Sequence, residues 1–165
     1  MSTLTLLHVL ISFLGILSGF VVAYGLLTAQ RFQGWTALFL ASTAATSLTG
    51  FIFFPIHPLL PSHKAGIISL AVLALASYAL YRRQLAGSWR WLYVITAMLS
   101  FYLNVFVLIV QCFLKIPALQ ALAPTQKEPP FLIAQGIAFA LFLAVTIAGT
   151  IRFRFEPAAA TAPRL

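Results

Sequence analysis

Five long stretches of apolar residues, separated by short polar segments, dominate the pattern along this chain. None of the five contains Asp, Glu, Lys or Arg. Because an α-helix rises about 1.5 Å per residue, about 20 such residues cross the hydrocarbon core of a bilayer. The pattern therefore predicts an all-α protein, a polytopic transmembrane helix bundle. Its five predicted spans cover residues 4–28, 35–54, 65–81, 91–114 and 131–151.

The third predicted span, residues 65–81, is the shortest of the five. It reaches across a bilayer if Arg82 and Arg83 extend toward the headgroups at one end and His63 and Lys64 begin the helix at the other. Four spans, with this segment lying in the membrane interface, are the main alternative. We predict a single transmembrane helical domain over residues 1–155 and a flexible cytoplasmic tail over residues 156–165.

Composition excludes the other broad classes of protein. Of the 165 residues, 62% are apolar and 7% are charged, whereas a soluble domain has about 25% charged residues. Too few polar groups are present to cover a surface in water, and a disordered chain would be much less hydrophobic. The formal net charge is +8, but the sequence predicts no water-exposed basic surface. Nucleic-acid binding is therefore not expected. The lipid bilayer is the predicted surrounding of this protein.

The distribution of positive charge predicts the orientation of the spans. With five spans, the side that holds the N-terminus carries three lysines, and the opposite side carries seven arginines. An excess of Lys and Arg marks the cytoplasmic side of a membrane protein. We therefore expect the N-terminus outside and the C-terminus in the cytoplasm. The first span lacks a positively charged start, so we interpret it as a retained helix rather than a secretory signal.

Small and polar residues recur at helical spacing along several spans. Gly15 and Gly19 form a small-xxx-small pair on the first span, of the kind that lets transmembrane helices approach closely. This pair, together with the Ser and Thr faces, could bind partner membrane subunits or a second copy of the chain. We expect the amide of Asn104, near the middle of the fourth span, to hydrogen-bond between helices, with ligand contact as the alternative. One stripe of that span holds Tyr93, Thr96, Ser100, Asn104 and Gln111.

All three histidines fall on one predicted side of the membrane. His8 lies about one turn inside the first span, His57 lies in the second loop, and His63 opens the third span. An ionisable residue inside a transmembrane segment indicates a functional site. We predict a binding site with His8 and His63 as its main contacts. Further candidates at this side, or facing it, are His57, Asn104, Gln111, Cys112, Glu128 and Gln135.

Three chemistries fit this histidine cluster. His8 and His63 could be the axial ligands of a b-type haem held between two helices. The three imidazoles with Glu128 or Cys112 could hold zinc or copper, although their spacing matches no named metal site. A histidine could also hydrogen-bond a quinone carbonyl or relay protons. The alternative is that His8 bonds a neighbouring hydroxyl or carbonyl group and the other histidines are ordinary loop and cap residues.

The residues that most enzymes require are missing. A single cysteine excludes an internal disulfide and a CxxC redox pair. Asp is absent, and Glu128 and Glu156 fall on opposite predicted sides, so no two carboxylates can act together. The spans hold no carboxylate, which argues against ion-coupled transport. An enzyme acting alone is not expected.

Several blocks of the sequence resemble one group of proteins. The blocks run from TGF at residues 49–51 through SHKAG at 62–66, and continue as WRWLY at 89–93, NVFV at 104–107 with Gln111, and APTQKEPPF at 123–131. Together they resemble a group of small uncharacterised inner-membrane proteins of bacteria with no assigned activity. The resemblance implies a multi-pass protein of the bacterial inner (plasma) membrane and implies no role for any residue.

These observations favour a non-catalytic protein that binds a ligand or assists a redox system, with the histidine cluster as its site. The competing prediction is a structural or assembly subunit of a larger membrane complex, with no cofactor of its own. A transporter or channel ranks third, because the inner halves of the first, third and fifth spans are too apolar to line a polar path.

Overall fold

The computed structural model describes residues 3–53 and 61–154, and these residues form a bundle of α-helices. Five of the helices are long and apolar enough to cross a membrane. The all-α bundle with five candidate spans is therefore confirmed. In chain order the helices are α1 (Thr3–Leu27), α2 (Gln33–Phe53), α3 (Pro61–Ser77), α4 (Trp89–Lys115), α5 (Pro117–Leu122) and α6 (Pro129–Arg152).

The third span extends beyond the apolar residues 65–81 at both ends. Helix α3 begins at Pro61 and continues beyond Ser77 as a wider π-helical turn, Tyr78–Arg82. The apolar helical segment His63–Arg82 has 20 residues, which is enough to cross the hydrocarbon core. It includes the flanking His63 and Arg82 that the sequence suggested as extensions. Length and composition thus favour five spans over four.

Helix α4 is the centre of the bundle. It packs against α3 and α6 and also contacts α1 and α2. Phe101 of α4 lies in the core, where its ring meets Phe39 of α2 at a centroid distance of 6.0 Å and Phe142 of α6 at 4.8 Å. Helices α1, α2 and α3 follow each other as neighbours around the bundle, and α6 closes it by packing against α1. Successive spans therefore alternate in direction.

Large apolar side chains cover the outside of the bundle. Leu17 of α1, Leu141 of α6 and Ile52 of α2 are 61%, 61% and 74% exposed. Apolar surface on this scale is not stable in water. In a bilayer it contacts lipid chains, so the structure agrees with an integral membrane protein.

The small-residue pair of α1 faces the interior of its own bundle. Gly15 lies against Ser42 and Thr43 of α2 and against Asn104 of α4, and Gly19 lies against Phe101. The predicted close helix contact is therefore present. The suggestion that Gly15 and Gly19 bind a partner or a second copy needs correction, because α2 and α4 of the same chain already occupy this face.

The hydroxyl groups along the helices bond mainly within their own helix. Ser18, Ser42 and Ser100 each donate to the carbonyl oxygen four residues earlier, at 2.7, 2.6 and 2.9 Å. A hydroxyl satisfied in this way presents a small, nearly apolar surface to the neighbouring helix. Packing in a membrane relies on such small surfaces because lipid supplies no hydrophobic drive for helices to associate.

The connection between α4 and α6 contains the short helix α5, and none of the residues of α5 is buried. At its end Ala123 is buried, and Gln126 donates from Nε2 to the carbonyl oxygen of Val110 at 3.1 Å. These contacts hold the loop against α4. The tail predicted over residues 156–165 lies outside the described residues.

Candidate functional site

A cavity of about 420 Å³ opens at one end of the bundle. Its walls are the N-terminal halves of α1 and α3 and the C-terminal halves of α2 and α4, which alternating directions bring to the same end. Helices α1 and α3 both pack against α2 and α4 but have no substantial contact with each other in the described part of the chain. The gap between α1 and α3 forms the cavity. Its volume lies in the range of small-molecule sites.

His8 lines this cavity and is oriented by a residue of the next helix. Its Nδ1 lies 2.8 Å from Oγ1 of Thr49 on α2. The same Oγ1 lies 2.8 Å from the carbonyl oxygen of Ala45. The bond between Thr49 and His8 holds the imidazole ring across the junction of α1 and α2, facing the cavity.

His63 lies on the opposite wall, in the first turns of α3. It is 3% exposed, and its ring stacks on Phe51 of α2 with centroids 5.6 Å apart. Both histidines that the sequence ranked first therefore line one cavity, although they come from helices that scarcely touch. The sequence predicts that both lie at the same end of the bundle, because successive spans alternate in direction.

Two amides of α4 complete the polar wall. Asn104 and Gln111 both line the cavity. Asn104 also donates from Nδ2 to Oγ1 of Thr43 at 3.1 Å, so the expected hydrogen bond between helices is present and joins α4 to α2. Asn104 thus combines the two roles that were set against each other, a tie between helices and a position on the cavity wall.

Two hydroxyl groups on the cavity wall have no hydrogen-bond partner among the described residues. They are Oγ of Ser69 on α3 and Oγ1 of Thr46 on α2. Ser69 is 3% exposed. A buried hydroxyl without a partner carries a cost of about 1–3 kcal/mol. A polar group of a bound ligand would remove that cost once rotation of the side chain turns the hydroxyl toward the cavity.

Sequence reasoning missed two residues of the cavity wall, Ser69 and Lys115. Ser69 could have been found, because His63, Gly66 and Ser69 recur every three residues and so share one face of α3. In the sequence, Lys115 contributes only to the predicted orientation of the spans. Its ammonium group ends α4 at the level of the histidines, and the described residues that line the cavity include no carboxylate.

Other candidates lie elsewhere. Gln135 is not among the cavity-lining residues; it donates from Nε2 to the carbonyl oxygen of Phe106 at 3.2 Å and so ties α6 to α4. Glu128 lies in the loop before α6, where Thr125 donates a hydrogen bond to it at 2.7 Å and lowers the pKa of the carboxyl. His57 lies outside the described residues.

A metal centre finds no support in the described residues. Within residues 3–53 and 61–154 no three His, Cys, Asp or Glu side chains form a group that could hold a metal ion. Cys112 lines the cavity, but Glu128 does not. The remaining zinc or copper hypothesis would therefore depend on His57.

The cavity combines a mainly apolar surface with several hydrogen-bond donors. The donors are the imidazole groups, the amides of Asn104 and Gln111, the ammonium group of Lys115 and the hydroxyl groups. Such a site suits an apolar molecule that carries acceptor oxygens, and it disfavours a cation. No family model, curated protein or solved structure matches the chain, so its function has to be argued from this site.

Proposed function

We propose that this protein binds a membrane-soluble ligand of the quinone class in the cavity between α1 and α3. One observation carries the proposal: His8, His63 and Gln111 line one mainly apolar cavity of about 420 Å³, whose wall also holds the buried Ser69. A quinone has an apolar ring and tail with carbonyl oxygens that accept hydrogen bonds. It is also soluble in the lipid that surrounds the bundle.

The depth of the polar groups supports this ligand class. Asn104 and Gln111 lie on one face of α4, two turns and about 10 Å apart along the helix axis. Ser69 lies nearer the level of Asn104, and His63 lies nearer that of Gln111. A quinone ring with a carbonyl on each of two opposite edges, plus one hydrogen bond at each end, spans about this distance. Donors at two depths can therefore hold both carbonyl groups.

In this proposal the protein holds the ligand and performs no covalent chemistry on it. With the Thr49 hydroxyl donating to Nδ1 of His8, Nε2–H of that ring and the amide of Gln111 would bind the outer carbonyl. Ser69 and Asn104 would bind the inner one. The apolar side chains between them exclude water. The protein would thus be an accessory to redox enzymes in the same membrane, supplying or storing their ligand.

Substitution of Ser69 tests the proposal directly. Binding of decylubiquinone to the purified protein in detergent is measured by isothermal titration calorimetry. Because the Ser69 hydroxyl has no partner to lose, Ser69→Ala should leave thermal stability unchanged or slightly higher. It should weaken quinone binding about fivefold, the loss of one hydrogen bond of about 1 kcal/mol. His8→Ala should weaken binding at least as much.

Ser100→Ala is the matched control. Ser100 is as buried as Ser69 but bonds within α4 and does not line the cavity. This variant should bind decylubiquinone as the wild type does. Absence of saturable binding to the wild type, or equal affinities for wild type, Ser69→Ala and His8→Ala, would refute the proposal.

A b-type haem is the second candidate, because His8 and His63 approach the same cavity from two different helices. His8 and His63 would hold the iron of this group, and a bound haem would supply one-electron chemistry. The visible spectrum of protein expressed with added haem, before and after dithionite, separates the two ligands. A Soret band that sharpens and shifts on reduction supports haem, and a colourless sample excludes it.

We also propose that the protein is a multi-pass protein of a bacterial inner membrane, with its N-terminus outside. The resemblance of its sequence blocks supports the location, and the separation of lysines from arginines supports the orientation. With this orientation the cavity opens toward the outer side of the membrane.

A further inference from the structure

The end of the bundle opposite the cavity carries an unbalanced positive charge. Every arginine in the described residues lies there, in the α1–α2 connection, around the α3–α4 connection and at the end of α6 or just after it. The one described carboxylate, Glu128, lies at the cavity end. The arginines are Arg31, Arg82, Arg83, Arg90, Arg152 and Arg154.

Three of these arginines are brought together by the connection between α3 and α4. The π-helical turn ends at Arg82, and the chain then reverses through Gln84 and Leu85, both with positive φ. Leu85 is buried and anchors this reversal in the core. Arg90 follows in the first turn of α4. The short connection therefore places Arg82, Arg83 and Arg90 around one helix junction.

Aromatic contacts hold the junction in shape. The guanidinium carbon of Arg83 lies 4.7 Å from the centre of the Trp89 ring, a cation–π contact. Tyr78 packs edge-on against Trp89 with centroids 5.3 Å apart. Nε of Arg90 is buried and has no hydrogen-bond partner in the described part of the chain. A ligand would therefore contact Arg90 through the terminal nitrogens of its guanidinium group.

The surface beside these arginines is apolar. Tyr78, Tyr81, Trp91 and Ile95 are each between 46% and 54% exposed. Tyr78 and Tyr81 come from the last turns before the junction, and Trp91 and Ile95 from the first turns after it. Chains of a lipid can lie on this surface while its headgroup reaches the arginines. A free phosphate ion has no apolar part that could contact this surface.

We propose that Arg82, Arg83 and Arg90 form a binding site for an anionic phospholipid, with the phosphate at the guanidinium groups and the acyl chains along the α3–α4 surface. Guanidinium groups bind phosphate through paired, charge-assisted hydrogen bonds. The phosphate would bind the terminal nitrogens of these guanidinium groups. This site is separate from the cavity and does not depend on the ligand proposed there.

Native mass spectrometry of the purified protein with phosphatidylglycerol tests this site, with phosphatidylcholine as the zwitterionic comparison. We expect phosphatidylglycerol to bind at least fivefold more tightly. Arg82→Gln with Arg90→Gln should remove that preference, and these substitutions leave the Arg83–Trp89 contact intact. Lys64→Gln, an exposed lysine at the other end, should retain it.

Three results would contradict the proposed lipid site. They are equal binding of the two lipids by the wild type, an unchanged preference in the double variant, and full displacement of phosphatidylglycerol by millimolar inorganic phosphate. Thermal unfolding in detergent confirms that the double variant is folded. If it is not, Arg82→Gln alone should still reduce the preference at least twofold, and a preference equal to that of the wild type would contradict the proposal.

Discussion

At the scale of single residues, the orientation of His8 depends on one hydroxyl group of another helix. Oγ1 of Thr49 on α2 lies 2.8 Å from Nδ1 of His8 on α1. Metal-bound and ligand-bound histidines are commonly held in this way, by a partner at the other ring nitrogen. The sequence places Thr49 on α2, but its distance from His8 follows only from how the two helices pack.

Thr49→Val removes this bond while keeping the shape of the side chain. Because hydrogen bonds between membrane helices contribute about 0.6 kcal/mol on average, we expect only a small loss of thermal stability. Affinity for decylubiquinone, measured by calorimetry, should fall about threefold or more, since the imidazole is no longer held toward the cavity.

Thr150→Val is the control for this substitution. Thr150 donates to a carbonyl of its own helix, at 2.7 Å, and it lies on α6 away from the cavity. Its replacement should leave affinity unchanged. An equal effect of the two substitutions, or none from Thr49→Val, would show that Thr49 does not position His8.

At the scale of helices, the contact between α1 and α4 depends on the absence of a side chain at Gly19. A Cβ atom there would lie 2.6 Å from Cδ2 of Phe101. The Phe101 ring cannot move away freely, since Phe39 and Phe142 pack against it. The packing of α1 against the central helix is therefore specific in shape as well as apolar.

Gly19→Ala should lower the free energy of unfolding by about 1–3 kcal/mol, the usual effect of overpacking a core. Thermal unfolding in one detergent measures the change. Gly136→Ala is the matched control, because a Cβ atom on that glycine of α6 meets nothing within 4 Å. Alanine is the better helix former, so the control should be neutral or stabilising. A stable Gly19→Ala variant would mean that α1 packs elsewhere.

At the scale of the whole molecule, charge divides the two ends of the bundle. Lys64, Lys115 and Lys127 lie at the cavity end, and the described arginines lie at the other. Charges near the ends of the spans set orientation during insertion. The cavity is therefore expected on the outer side, and the lipid site on the cytoplasmic side.

Reporter fusions in a bacterial host test this orientation. A green fluorescent protein fused after Leu165 should fluoresce, and alkaline phosphatase fused there should be inactive, because phosphatase folds only outside the cytoplasm. Phosphatase fused after Lys127, in the loop at the cavity end, should be active. The opposite pattern would invert the orientation without altering which residues meet in the cavity.

Much of the fold and part of the site could be predicted from sequence. Length and hydropathy decide the number of spans, and alternation of direction decides that His8, His63 and Gln111 lie at one end. Depth along a helix does not decide which face meets which neighbour. Gln135 lies at the same end as His8, yet it bonds to Phe106 on α4 rather than lining the cavity.

The sequence by itself determined that this is a helical membrane protein, because the cost of placing unsatisfied backbone groups in lipid leaves apolar segments of this length few other structures. It also determined which residues share an end. Only the tertiary structure decided that α1 and α3 stand apart and that Ser69 and Lys115 line the gap between them. It also decided that Gly15 and Gly19 pack against other helices of the same chain. These features depend on the rotation and spacing of packed helices, which arise from many long-range contacts and from no single stretch of sequence.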